Sequence, residues 1–200
     1  MHRPVLVTPP EILPVSLAEA KLHLRVDHGD DDALIASLIK AAVDHLDGWT
    51  GILGRCLVEQ TWRQDFDALA GCLPLSLAPV AEIVSVEYVD ENGVTRTLDG
   101  SDYALRVDAG GRAFLNVSAR PAASSASVTY KAGYPTIPEV PEDGDTPAVP
   151  AQSMVPDAIK AAILLLIGHW YANREAVAGE FSVVPMAVEA LIAPYRRVGI

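Results

Sequence analysis

Two hundred residues, half of them hydrophobic and a fifth charged, suffice for one domain carrying a smaller insertion around a sizeable core. Fifteen basic residues against 26 acidic ones leave a net charge of −11, which argues against affinity-driven nucleic-acid binding and suits a surface past which DNA slides without sticking. The longest apolar run, residues 161–168, falls far short of the roughly 20 residues that span a bilayer, and residues 1–17 contain four prolines instead of a continuous apolar stretch, so no membrane helix and no secretory signal are expected.

In chain order, the first helix signal is Val15-Ser16-Leu17-Ala18-Glu19, where Ser16 can cap and Glu19 can reach back to it as a capping box. Leu17, Ala20 and Leu24 extend that helix to about Leu24. After a break at Asp27-His28-Gly29, the triplet Asp30-Asp31-Asp32 reads as a helix N-terminus, because carboxylates there offset the positive end of the helix dipole. Ile35, Leu38, Ile39, Ala42, Val43, Leu46 and Trp49 follow at spacings of three and four, predicting an amphipathic helix that ends near residues 48–51.

From Cys56 to Gly133 the period shortens. Strand-like runs are read at 58–63, 73–77, 83–89, 94–98, 103–107, 113–117 and 127–131. Asn92-Gly93 and Gly110-Gly111 mark hairpin turns. Within 83–89, Ile83, Ser85 and Glu87 are expected on one side and Val84, Val86 and Tyr88 on the other. The expectation is one small antiparallel sheet placed between helical segments. Residues 134–156 hold six prolines and four acids, and read as a linker or long exposed loop. Pro156 suits the first position of a helix carrying Ile159, Ile163, Leu166, Ile167 and Trp170 to about Ala176. Residues 177–184 read as a loop. Pro185 can open a last helix with Val188, Leu191 and Ile192 on one face, which Pro194 must stop or kink. The fold class is therefore α+β, with a helical core around an inserted sheet. Its segments are 1–55 (helical), 56–133 (β-rich), 134–156 (linker) and 157–200 (helical part and tail).

Cys56 and Cys72 could form one disulfide, but two buried thiols in a reducing cytosol is the reading adopted. They are too few for a zinc site. The cluster His23, Asp27, His28, Asp30, Asp31 and Asp32 lacks the alternate-position acids of a calcium loop and reads as an acidic capping turn beside a solvated histidine. His169, Trp170, Tyr171, Asn173 and Arg174 form a polar–aromatic patch in which His169 and Asn173, one turn apart, could share a hydrogen bond. Without a nucleophile or carboxylate arranged around His169, packing or a subunit contact is the expected role. No phosphate loop, nucleophile elbow or metalloprotease helix is present in the sequence, so no catalytic residue, metal or cofactor is expected.

Several segments, in order, resemble the phage head–tail connector (adaptor) family, most closely its longer branch in prophages and gene-transfer particles. These are Ser16-Leu17-Ala18-Glu19-Ala20-Lys21-x-His23-Leu24-Arg25-Val26, Asp31-Asp32-Ala33-Leu34-Ile35 and Trp49-Thr50-Gly51, followed by Thr61-Trp62 and Ser127-Val128-Thr129-Tyr130-x-Ala132-Gly133-Tyr134. The late matches are Pro156-x-Ala158-Ile159-Lys160-x-Ala162-Ile163, His169-Trp170-Tyr171-x-Asn173-Arg174-Glu175 and Ala190-Leu191-Ile192-x-Pro194-Tyr195-Arg196. The resemblance implies a structural protein without turnover. Copies would form a ring, usually dodecameric, beneath the portal protein, lengthening the DNA channel and receiving the next neck or tail protein (a stopper) at the head–tail interface of a particle made in the bacterial cytoplasm. Trp170, Tyr171, Asn173, Arg174, Leu191, Ile192, Tyr195, Arg196 and Arg197 are the expected portal or subunit contacts, the last five of them on a C-terminal segment, residues 179–200, expected to order on binding. The rival readings are another neck-completion protein such as a stopper, and a small hydrolase using His28 or His169.

Overall fold

The chain opens on an element that periodicity does not reveal. Strand β1 (Val5–Thr8) precedes helices α1 (Leu17–Leu24) and α2 (Asp32–Leu46). Strands β2 (Gln60–Phe66), β3 (Cys72–Pro74), β4 (Val80–Asp90), β5 (Thr95–Thr97), β6 (Tyr103–Val107), β7 (Ala113–Val117) and β8 (Ala123–Ala132) follow. A two-residue ribbon of β9 (Thr136–Ile137) and β10 (Gln152–Ser153) leads to α3 (Asp157–Ala172) and α4 (Met186–Ile192). The computed structural model describes residues 2–119, 121–141, 148, 150–174 and 186–197. The loop expected at 177–184, the helix start expected at Pro185, and Glu175 lie outside the described residues. The class is mixed α+β with antiparallel strand pairing, apart from one parallel bridge between Val58 and Tyr134.

Two compact units divide the chain. One takes Met1–Glu11 and Gly54–Pro135, the other Ile12–Leu53 and Thr136–Ile200. In the first, the expected single sheet is two: five strands in the order β1-β2-β8-β4-β5, and three in the order β3-β7-β6. The reason lies in the alternation. Trp62 and Phe66 on β2, Val86 on β4, and Val128 and Tyr130 on β8 bury one face of the larger sheet, while Leu73, Leu115 and Val117 bury one face of the smaller. Two half-apolar sheets cover each other's faces and share one core. The buried Gln64 amide ties this core together. Its Oε1 accepts from Ser76 N at 2.9 Å and Tyr130 Oη at 3.3 Å, and its Nε2 donates to Pro74 O at 3.3 Å. A buried amide satisfied on both ends contributes specificity, where an unsatisfied one would cost about 1–3 kcal/mol.

Of the three register shifts along β4, one falls inside the run 83–89 and breaks its period-two reading. A register shift between Ile83 and Ser85 leaves Val84 half exposed and brings Ile83 to the same core as Val86. A bulge adds one residue and reverses the side assignment beyond it. Both glycine turns form as expected. Gly93 (φ +77°) closes β4–β5 and Gly111 (φ +75°) closes β6–β7. Cys56 is a buried thiol, but Cys72 is exposed, a correction to the reading of two buried thiols. It lies on the outer side of β3, whose central Leu73 faces the core.

The helical unit starts on the expected capping box. Ser16 Oγ accepts from Glu19 N at 3.2 Å, and Glu19 Oε2 accepts from Ser16 N at 2.7 Å. Partial burial works against the Glu19 carboxylate, yet these bonds from Ser16 and the nearby Lys160 ammonium hold its pKa below the ordinary value. Lys21 of α1 meets Asp32 of α2 at 2.6 Å. Ile35, Ile39, Ala42 and Leu46 of α2 and Ile159, Ile163, Leu166 and Ile167 of α3 are fully buried. Pro156 caps α3 from one position before its first turn. The helix ends at Ala172, four residues short of the expected Ala176, because Asn173 leaves helical geometry and turns its side chain back on the last turn. Among the described residues no helix is long and apolar enough to cross a membrane, and no group of three or more His, Cys, Asp or Glu could hold a metal ion.

Candidate assembly surface of the helical unit

The last turn of α3 carries the patch singled out from sequence, and its side chains diverge. Trp170 meets His45 of α2 edge to face, with ring centroids 6.4 Å apart and planes at 73°. Tyr171 turns toward the start of α2, where its hydroxyl donates a hydrogen bond to Asp31 Oδ2. Arg174 Nη2 reaches the same oxygen at 3.1 Å, and its guanidinium lies 4.6 Å from the centre of the Tyr171 ring. Asp31 occupies the N-cap position of α2 but makes no side-chain capping bond. Its carboxylate serves as a strap to α3 instead. The Tyr171 hydroxyl, followed by Arg174, holds the Asp31 carboxyl below the usual carboxylate range, and in turn the Asp31 carboxylate pushes the Tyr171 phenol above its ordinary value.

Asn173 Nδ2 donates to the His169 carbonyl at 2.8 Å and stands 3.4 Å from His169 Nδ1, so the expected pair does meet, mainly through the backbone. His28 faces Asp30 at 3.8 Å. Each of the two histidines weighed for catalysis is thus engaged with a near neighbour in sequence.

The C-terminal residues are more tied down than the sequence suggests. Val188 and Ile192 of α4 are fully buried and Leu191 is partly buried. Pro194 ends α4 in a single 3-10 turn, Ala193–Tyr195. Arg196 Nη2 pairs with Glu189 Oε2 at 2.7 Å, and the Arg197 amide donates to the Leu53 carbonyl at 3.0 Å. Residues 186–197 therefore pack on their own unit, with Asn173, Arg174 and Arg196 exposed and Tyr171 and Tyr195 partly so. Sequence reasoning missed Asp31 and Glu189 as partners. Asp31 is 140 residues from Tyr171 and 143 from Arg174, separations that leave no local signal. Glu189 is separated from Arg196 by the turn at Pro194.

Two comparisons bear on this chain. A family model described as phage gp6-like head-tail connector protein matches residues 14–69. That stretch contains the capping box, Asp31 and the Trp49-Thr50-Gly51 turn, so the resemblance read from those motifs is borne out there. A search of curated proteins gives no significant match. Among solved structures, a chain in the neck of an empty gene transfer agent (GTA) particle, computed with C6 symmetry, superposes with a TM-score of 0.73 at 22% identity. A chain in the virion of a native GTA particle gives 0.74 at 23%, and one in the neck of a native particle computed with C12 symmetry gives 0.70 at 23%. Each match covers 100% of this chain and 97% of the other. The chain is thus similar to phage head–tail connectors over residues 14–69, and from end to end it has the fold of chains found in gene transfer agent particles.

Proposed function

We propose that this protein is a structural head–tail connector of a tailed phage or phage-derived particle, acting by assembly and not by turnover. The carrying observation is the end-to-end likeness to chains of the GTA neck and virion, joined to the connector-family match over α1 and α2. Copies form a ring, dodecameric in this reading, beneath the portal protein at the head–tail interface. The ring continues the DNA channel and presents a platform to the next neck protein. The helical unit is the assembly core, and the β unit, whose first strand precedes it in the chain, is the added part. A net charge of −11 favours DNA passing without specific binding.

Closed rings need two different complementary patches on each subunit. The strapped end of α3, with Trp170, Tyr171, Asn173 and Arg174, supplies one of them, and Leu191, Tyr195, Arg196 and Arg197 at the C-terminal end supply a separate surface that faces the portal. Ile192 supports the latter from within, since it is fully buried. Co-expression with the cognate portal followed by electron microscopy tests the proposal. A ring on the tail-facing end of the portal is expected, and a chain that stays monomeric and ignores the portal overturns it.

A further inference from the structure

The five-stranded sheet has two open edges of unlike character. Among the described residues β1 pairs only with β2 and β5 only with β4, so each leaves one row of backbone donors and acceptors outside the sheet. Val5, Leu6 and Val7 are 50%, 42% and 54% exposed. Open edges in sheet proteins are usually blunted by charges, prolines or bulges. Here the strand itself carries no charge and no proline, and its one register irregularity falls after Leu6. All three residues of β5 are exposed as well, as is Val94 beside it. An apolar uncharged edge is a template for a strand of another chain.

We propose that β1 of one copy pairs with β5 of the next, so that the sheet continues from subunit to subunit. This rests on the ring reading above. Strand direction and charge together choose a second copy in head-to-tail order. In a sheet of five antiparallel strands, β1 and β5 run the same way. A rotation about an axis along the strands therefore lays them side by side in parallel, start beside start. Two positions before β1, ahead of the buried Pro4, stands the exposed Arg3, and the turn leading towards β5 is Asp90-Glu91-Asn92-Gly93. Asp90 is occupied by Arg96 at 2.7 Å and by the Asn92 and Val94 amides. Exposed Glu91 is the acid of that turn that meets Arg3. A two-fold pairing of β1 with β1 would instead run antiparallel, stop at a dimer and leave β5 unused. Four residues of edge are only about 13 Å long, far below the interface that holds two proteins together unaided. The pairing therefore acts within the ring and is to be tested there.

Val5→Cys and Thr95→Cys, in a Cys72→Ser background, put one thiol on each edge at exposed positions. Assembled particles carrying the doubly substituted chain are treated with a short bismaleimide. The expected result is a covalent ladder of chains extending to the ring size, while each singly substituted chain stays a monomer on a denaturing gel. Arg3→Glu should lower the ladder yield a few-fold, and adding Glu91→Arg should restore it. Particles whose necks show a ring by electron microscopy but give no ladder would overturn the edge pairing and leave the connector reading standing. Dimers from Val5→Cys alone would overturn it in favour of two-fold pairing. Particles without any ring would overturn both.

Discussion

Replacing Gly133 with alanine probes a point where separate stretches of the β unit crowd together. Its φ of +131° lies outside the range side chains favour, and its amide donates to the Pro79 carbonyl at 2.8 Å. A Cβ there would stand 2.1 Å from Val58 O, 2.3 Å from Val58 C and 2.6 Å from Glu59 N. Since these are backbone atoms, relief requires the Val58–Tyr134 bridge to move by more than an ångström. The conformational term is about 1–2 kcal/mol, and forcing apart a packed site adds about 1–3 kcal/mol, for a loss of about 2–5 kcal/mol. In a unit of this size each kcal/mol lowers the melting temperature by about 4–8 °C. Gly93→Ala is the matched control, because Gly93 also has a positive φ (+77°) but no atom within 4 Å of the added carbon. Urea and thermal unfolding followed by circular dichroism should show Gly133→Ala losing at least about twice as much stability as Gly93→Ala. Equal losses would refute the close-approach argument and leave only the backbone term.

Gly168→Ala should be neutral or stabilise by up to about 1 kcal/mol, since helix propensity favours alanine. The tightest contact of the new carbon is with the exposed His23 ring, 3.3 Å away at Nε2, which can swing aside, and Leu24 Cδ2 stands at an ordinary 3.9 Å; a clear drop in melting temperature would show that the ring is fixed. Tyr171→Phe should return the Asp31 pKa toward its ordinary value, seen by NMR titration of the carboxyl carbon. The sign follows from the lowered pKa: the strap's contribution is complete above the ordinary carboxylate range and is lost as pH falls through the folded-state value. The parent should thus lose relative to Tyr171→Phe only in acid, and an unchanged Asp31 titration would refute this. Cys72 should react with a thiol reagent in the folded protein while Cys56 reacts only on unfolding, countable by mass spectrometry under native and denaturing conditions. Ser16→Ala should cost about 1 kcal/mol through loss of the cap, and an unchanged urea midpoint would show α1 to be held by packing alone.

Local chemistry was the legible part of this sequence. The Ser16–Glu19 box, the Asn92-Gly93 and Gly110-Gly111 turns and the apolar stripe of α2 from Ile35 to Leu46 are each specified within a few residues and form where expected, although α2 stops at Leu46, short of residues 48–51, and leaves Trp49 exposed beyond it. β1 was hidden because only four residues lie between Pro4 and Pro9, and the strand that pairs with them, β2, comes more than 50 positions later. The division into two sheets was equally invisible, since alternation shows that a strand has a buried side but not which layer covers it. At the candidate surface, residue types pointed to His169–Arg174 as a contact patch, yet the partner that organises it, Asp31, looked like an ordinary helix-start carboxylate. In each miss the deciding partner is distant in sequence, and composition carries no record of it. The positive φ of Gly133 and its close approach to Val58 likewise give the glycine of Ala132-Gly133-Tyr134 a physical reason that the letters alone did not.

The interleaving of the two units imposes a timetable on synthesis. As the ribosome delivers the chain, β1 emerges first but has nothing to pair with until β2 follows. Next come α1 and α2, whose buried face of Ile35, Ile39 and Leu46 belongs with α3. That helix is made more than a hundred residues later, after the whole β unit has been synthesised. The β unit can therefore close early, while the helical unit waits half-made with its apolar side uncovered. During that interval the nascent α1–α2 pair is the stretch most open to a chaperone, or to the same pair on a neighbouring nascent chain.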